Sequence, residues 1–296
     1  MNNYIIYEKE GPIVTLTLNR PEKLNAFVII GDETVNDIPE FLEALKRAED
    51  DDEVKVVIIK GAGRSFCAGH DLTKVGFVYG FGTKADDPRP SQRVRLRSDR
   101  YGLEGLHALF NYSKLTIAQV HGHAVAGGMY MAMFCDFLIC ANDAKIGATE
   151  QRLGFAGGGA VIFPLLVYCV GLRRACDLFI TGRVISGKEA VEIGLATKAV
   201  EPDKLEEEVR NLAKALSIQP RDGIAIGKAH RHLCYDAMGL STMPTISYVT
   251  HTLFTNLQYA PDEWIFFKER REKGTKAAFH ERDKMFDSAL GEKPEE

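Results

Sequence analysis

The sequence lacks an apolar run long enough to cross a bilayer. The longest, residues 160–170, is interrupted by Pro164, and a spanning helix needs about 20 apolar residues. It also lacks a basic start leading into an apolar stretch and a small-residue cleavage site. MNNYIIYEKEGPIVTLTLNR is not Arg-rich in the manner of a transit peptide either. These absences predict a cytoplasmic protein with no membrane segment. Charge of one sign is missing too: a net charge of −4 and a pI near 6.1 give no global footprint for a polyanion. Any phosphate recognition must therefore be local, and no nucleic-acid partner is expected.

Six cysteines are present without a C-x-x-C pair, and most lie in apolar runs such as LVYCVG and MFCDFLIC. They read as reduced core thiols. Cys67 alone lies in a glycine-rich loop, a place open to a nucleophile, yet no histidine is positioned in the sequence to activate it. His121 with His123, and His230 with His232, alternate along the chain, but no acidic or cysteine partners stand at ligand intervals. No metal site is expected.

What is present fits an ordinary globular chain: 296 residues, 45% hydrophobic and 26% charged, enough for one large core plus a smaller appendage. Two β-rich runs, 4–7 and 13–18, flank Gly11-Pro12 and predict a hairpin. Ile38, Phe41, Leu42, Leu45 and Ala48 recur at helical spacing, with Glu40, Glu43, Lys46 and Arg47 opposite. That pattern is an amphipathic helix lying on a sheet. Residues 54–59 form a nearly continuous apolar run, as expected of a strand covered on both faces, and the same signature returns at 115–120 and 137–141. Strands alternating with helices up to about Val200 predict an α/β architecture.

Beyond Glu201 the pattern is helical, so residues 1–200 are read as the core carrying the site and 201–296 as a separate helical C-terminal region. The closing GEKPEE is polar enough to be disordered. Between Thr73 and Tyr101, Gly76, Gly80, Gly82, Pro88 and Pro90 precede Arg93, Arg95, Arg97 and Arg100. The stretch reads as a loop entering a helix, either a lid or a solvated basic face. Arg93 and Arg97, one turn apart, are placed to meet acidic groups.

Two glycine-bearing segments each follow a covered strand: GAGRSFCAGHDL and HGHAVAGGMYMAMFCD. Glycines there let backbone N–H groups approach a ligand or adopt positive φ; the alternative is a pair of tight turns.

These segments resemble those of the crotonase, or enoyl-CoA hydratase/isomerase, superfamily. The likeness runs through LNRPEKLNAF (18–27), SFCAGHDL (65–72), AVAGGMYMAMFCD (124–136), IGATEQRLG (146–154), TGRVISGKEAVEIGLATKAV (181–200) and FFKERREKG (266–274). It implies a spiral of repeating ββα units with a helical C-terminal trimerisation region, hence a homotrimer or a hexamer made of two trimers. It implies an acyl-CoA thioester as substrate, with coenzyme A entering as part of that substrate and no permanently bound cofactor. The thioester carbonyl would lie between the backbone N–H groups of His70 and Gly127, an oxyanion hole for the enolate.

The same resemblance places Lys23 and Leu24 against CoA and Ala68 beside its adenine. Phe267 and Arg270 of a neighbouring subunit would cover the nucleotide. Relatives that hydrate carry two glutamates; here the first position is Tyr130 and the second is Glu150. One acid/base carboxylate is thus expected, with a phenol in place of the other. Gly157, Gly158 and Gly159 have no proline before them, and Ala160, Val161, Ile162 and Phe163 follow. A reshaped, apolar acyl pocket suited to a hydrophobic or cyclic acyl group is expected there. The activity implied is that of a hydratase-like hydro-lyase of fatty-acid metabolism. Its alternatives are a double-bond isomerase, a CoA-thioester hydrolase or decarboxylase, and a non-catalytic CoA- or RNA-binding relative.

Overall fold

The computed structural model describes residues 4–27, 37–73, 91–154, 161–253 and 259–291 of the chain. Strands β1 (Ile5–Glu10) and β2 (Ile13–Leu18) form the hairpin expected around Gly11-Pro12, with Gly11 at φ 57° supplying the turn. Helix α1 (Asp37–Asp50) buries Ile38, Phe41, Leu45 and Ala48 on one face, as their spacing requires. Strand β3 (Val56–Gly61) pairs in parallel with β2. Helices α2 (Gln92–Gly102) and α3 (Glu104–Phe110) then lead to β4 (Leu115–Val120), and β5 (His123–Val125) runs into α4 (Gly127–Phe134). Strands β6 (Phe137–Ala141) and β7 (Lys145–Gly147) run into a short 3-10 helix, Thr149–Leu153.

Each repeat is thus strand, strand, helical turn. First strands build a six-stranded sheet, β1-β2-β3-β4-β6-β9, parallel apart from β1, where β9 is Lys198–Val200. Second strands build a smaller sheet, β5-β7-β8, with β8 at Ile185–Ser186. Isolated bridges Phe27–His70 and Cys67–Ala124 extend that small sheet toward the N-terminus. The chain therefore winds between two sheets as the spiral of ββα units predicts. Every residue of β2 and β4 is buried, so both faces of the large sheet are covered.

Helices α5 (Phe163–Val170), α6 (Leu172–Thr181) and α7 (Gly187–Glu192) complete the spiral, and α8 (Leu205–Ser217), α9 (Arg221–Ala237), α10 (Met243–Leu253), α11 (Phe266–Lys273) and α12 (Thr275–Leu290) follow. The turn to helices after residue 200 is not a break in the core. Leu205, Val209 and Ala213 of α8 belong to the same buried cluster as the strands, and Lys55 Nζ donates to the carbonyl of Ser217 at 2.7 Å. The expected separate appendage is thus partly core: α8 lies on β2, β3, β4 and β6. Among the described residues, no helix is long and apolar enough to cross a membrane. The tail 292–296 and most of the expected lid, 74–90, lie outside the described residues.

Helix α9 is docked by a buried ion pair. Asp136, at the start of β6, accepts from Lys228 Nζ at 2.8 Å and 2.9 Å and from the backbone N–H of Thr116 at 2.8 Å; Arg231 approaches at 2.9 Å. Removing one partner of such a pair strands a desolvated charge. Asp136→Ala is expected to cost about 3–5 kcal/mol of unfolding free energy in urea. Lys228→Met should cost less, because Thr116 and Arg231 still satisfy the carboxylate.

Candidate active site

Segment 65–71 runs between two neighbouring backbones. On one side Phe66 N–H donates to His121 O (2.8 Å), Cys67 N–H to His123 O (2.9 Å), and Val125 N–H to Cys67 O (3.2 Å). On the other, Phe27 N–H donates to Gly69 O and Asp71 N–H to Phe27 O, both at 2.9 Å. In a parallel bridge of this kind Phe27 uses the groups before and after His70. The N–H and C=O of His70 itself must then point away from Phe27.

The start of α4 lies beside the same segment. A Cβ added at Gly69, which sits at φ 79°, would lie 3.0 Å from Gly127 N. Gly127 is the first residue of α4, where a backbone N–H has no acceptor within the helix. Among the described residues neither the His70 nor the Gly127 amide donates a hydrogen bond. The glycines act through space more than through φ: a Cβ on Gly128 would fall 2.1 Å from the Cys67 carbonyl oxygen. The positive φ at this turn belongs to Ala126, at 52°, whose N–H is held by the Gly147 carbonyl at 2.8 Å.

Glu150 lies on the 3-10 helix after β7 and is buried, 8% exposed. Its Oε1 accepts from the Tyr130 hydroxyl at 2.5 Å, while Oε2 is buried with no partner among the described residues. Burial pushes the Glu150 carboxyl up to about 7, against the opposing pull of the Tyr130 hydrogen bond. Tyr130 is fully buried on α4, and burial, the Glu150 charge and the bond it donates all hold its phenol well above the ordinary range. At neutral pH Tyr130 is therefore a hydrogen-bond donor to Glu150 and not a proton carrier.

Lys23, Leu24, Ala68, His70, Tyr130 and Glu150 line one cleft of about 780 Å³. The His70 imidazole is held down to about 3, first by burial and then by the charge of His251, so the ring is neutral. Phe267 and Arg270 are not on the cleft wall. Phe267 is 3% exposed in a cluster with Leu153, Phe266 and Ala278. Arg270 lies over the Phe267 ring at 4.9 Å and donates to the Leu72 carbonyl. In this chain the two fasten α11 to the loop that carries His70. Their expected role, covering the nucleotide of a neighbouring subunit, concerns a second copy of the chain.

Other expectations resolve as follows. Arg93 and Arg97 are exposed, and it is Arg95, fully buried, that pairs with Asp99 at 3.0 Å. Cys67 is fully buried and its thiol donates to Asn25 O at 3.2 Å, which leaves no nucleophile there. His121 Nε2 lies 2.9 Å from Gly63 O and His123 Nδ1 lies 3.1 Å from Ser65 Oγ. Residues 155–160, with the expected glycine cluster, lie outside the described residues; Val161 lines the cleft, and Ile162 is core. Sequence reasoning missed His251 and the face of α12 carrying Phe279 and Asp287, both of which line the cleft. Phe279 and Asp287 stand in no motif of the sequence that marks a cleft wall.

The comparisons agree with this architecture. Residues 8–282 match the family model for enoyl-CoA hydratase/isomerase. The crotonyl-CoA hydratase of Syntrophomonas wolfei is 33% identical over 228 residues, covering 76% of this chain and 80% of that protein. The 1,2-epoxyphenylacetyl-CoA isomerase of Escherichia coli is 31% identical over 230 residues, covering 77% and 81%. Among solved structures, an enoyl-CoA hydratase from Mycobacterium smegmatis superposes with a TM-score of 0.80 at 28% identity, covering 95% of this chain and 94% of that one. With its family model spanning nearly its whole length and a fold shared with solved members, this chain belongs to the enoyl-CoA hydratase/isomerase family.

Proposed function

We propose that the protein hydrates the double bond of an enoyl-CoA thioester, using one carboxylate. The observation that carries this reading is Glu150: a buried carboxyl with a pKa near 7 on the wall of a cleft that His70 also lines, in a chain where the His70 and Gly127 N–H groups bond to nothing else among the described residues. Addition to the conjugated double bond moves negative charge onto the thioester oxygen. The His70 and Gly127 N–H groups receive that charge, and donors of this kind are each worth about 100- to 1000-fold in rate. Ionised Glu150 takes a proton from water as the hydroxyl adds to the β carbon, and then returns that proton to the α carbon. Tyr130 holds the carboxylate in place throughout.

A second reading has its own support. With Tyr130 donating to Glu150 instead of supplying a second carboxylate, the site equally suits carrying one proton from the γ to the α carbon, which is isomerisation. Lys23, Leu24 and Ala68, on the same cleft, hold the CoA portion, and no resident cofactor takes part. We also propose a homotrimer or a hexamer of two trimers. Ile218, Ile226 and Leu233, exposed at 82%, 69% and 67%, supply apolar surface for contacts between copies.

Incubation with enoyl-CoA thioesters in deuterated water separates the two reactions by product mass. Gain of water marks hydration, and deuterium at the α carbon without it marks isomerisation. Glu150→Gln should lower kcat by about 100- to 10,000-fold; unchanged activity refutes the proton-carrier role, and no turnover by wild type with any thioester refutes the enzymatic reading.

The pH dependence has a definite sign. The base must be ionised, so kcat/KM rises with pH up to about 7 and then levels. The Tyr130 bond lowers the Glu150 pKa, and Tyr130→Phe should therefore move the acid limb upward by about one pH unit. A limb that stays put or moves down in that variant contradicts the assignment.

A further inference from the structure

The proposed hydration uses the backbone of His70 and leaves its side chain idle. That residue lines the cleft, and part of its surface stays open although it sits deep in the chain. The ring packs on Phe27 at 4.7 Å between centroids, tilted by 54°. Its Cε1 also approaches Gly127: a Cβ added to that glycine would fall 3.4 Å from His70 Cε1 and 2.5 Å from Phe27 Cζ. The imidazole therefore lies beside the first residue of α4, whose N–H has no acceptor among the described residues. Nδ1 is tied to the backbone N–H of His70 through Cα, Cβ and Cγ alone, so the ring stays close to that unpaired amide as well.

Among the described residues neither nitrogen of the His70 ring has a hydrogen-bond partner, and Nε2 is buried. A residue serving only to pack on Phe27 needs no nitrogen; an aliphatic side chain would fill the space without desolvating a polar atom. The ring is neutral and so carries a single proton. On Nε2 that proton would make a buried N–H with no acceptor, which is rarer in folded chains than a buried lone pair with no donor. The proton therefore belongs on Nδ1. A neutral donor also suits a cleft that works through Glu150. A cation there would hold the carboxyl ionised and hinder its return of a proton, whereas an N–H dipole stabilises charge as it develops on an oxygen.

We infer that the His70 ring meets the cleft along its Nδ1 edge and that Nδ1–H is a third donor to the thioester oxygen, beside the backbone N–H groups of His70 and Gly127. The inference rests on the acyl-CoA reading above. A carbonyl oxygen has two lone pairs for its two backbone donors, and a third donor gains most when the oxygen becomes an enolate. The imidazole thus favours the transition state over the bound substrate.

Polarisation of the carbonyl can be read without turnover, on a saturated acyl-CoA isotopically labelled at the thioester carbon. In difference infrared spectra the carbonyl band should lie lower on wild type than in the free ligand. With His70→Leu it should move back part of the way, because the backbone donors remain. In that variant kcat for an enoyl-CoA should fall about 100-fold, while the saturated ligand binds nearly as well. His70→Asn puts an amide nitrogen where Nδ1 stands and should keep the band and most of the rate; His70→Gln reaches to the Nε2 position and should behave as His70→Leu does. An unmoved band or an unchanged kcat in His70→Leu overturns the inference, and so does rescue by Gln where Asn fails. If His70→Leu does not fold, the Asn and Gln variants decide the matter. A band shifted on wild type and unmoved in the variant leaves the acyl-CoA reading standing; failure of every acyl-CoA to bind wild type overturns both.

Discussion

Two backbones pass too close together here for a side chain to stand between them. Segment 65–71 meets the first turn of α4 with the Cys67 carbonyl oxygen 2.1 Å from where a Cβ on Gly128 would be, and with the Cβ position of Gly69 3.0 Å from Gly127 N. From that approach the geometry of the cleft follows. The bridge to Phe27 uses the Gly69 carbonyl and the Asp71 N–H, the helix start leaves Gly127 without an internal acceptor, and neither the His70 nor the Gly127 N–H donates among the described residues. Ala126 is held at φ 52°, uncommon for a residue with a side chain, by its bond to Gly147 and by the strand leading into it. Backbone contacts thus hold both N–H groups in place, and on the proposed reading that is the preorganisation an oxyanion hole requires.

The second constraint is charge. A buried pair of carboxylates would repel, and one of them would be driven to remain protonated. With Tyr130 in the position of one, a single ionisable acid remains, and the phenol stabilises its charged form by a direct bond. Burial and hydrogen bonding therefore pull Glu150 in opposite directions. Burial is the larger, and the balance falls near neutrality, where a group can both accept and return a proton.

Much of the scaffold was legible in the sequence because it rests on local patterns: β-rich runs around a turn, apolar residues at helical spacing, and near-continuous apolar runs. The hairpin, α1 and the covered strands β4 and β6 carry such patterns in their own residues. The small sheet was not legible. Its strands are two or three residues long, too short for a period to show, and the bridge at Phe27–His70 joins residues 43 apart in sequence. The motif resemblance gathered Lys23, Leu24, Ala68, His70, Tyr130 and Glu150 correctly onto one cleft. For Phe267 and Arg270, expected against the nucleotide of a neighbouring subunit, the motifs carried no sign of the contacts made within the chain, which depend on how α11 folds back onto Leu72. Arg93 and Arg97 were favoured over Arg95 because charge patterning along a helix shows a face but not its partner, and Asp99, four residues on, selects Arg95.

The position of Glu150 depends on contacts made far along the chain. Arg152, two residues later on the same 3-10 helix, is 4% exposed; its Nε donates to the Thr181 carbonyl at 2.9 Å, and its Nη1 to Asp287 of α12 at 2.7 Å. Its stem lies against Gly182, where an added Cβ would come within 2.8 Å of Arg152 Cγ. One arginine therefore joins the turn carrying Glu150 to the end of α6 and to the last helix, and Asp287 also lines the cleft. A bidentate, planar cation suits a junction of three elements in a way that a lysine does not, because its donors diverge in fixed directions. The C-terminal helices thereby belong to the active-site framework: through Arg152 they fix the turn that presents the carboxyl, and through Phe267 and Arg270 they fix the loop that presents the His70 amide.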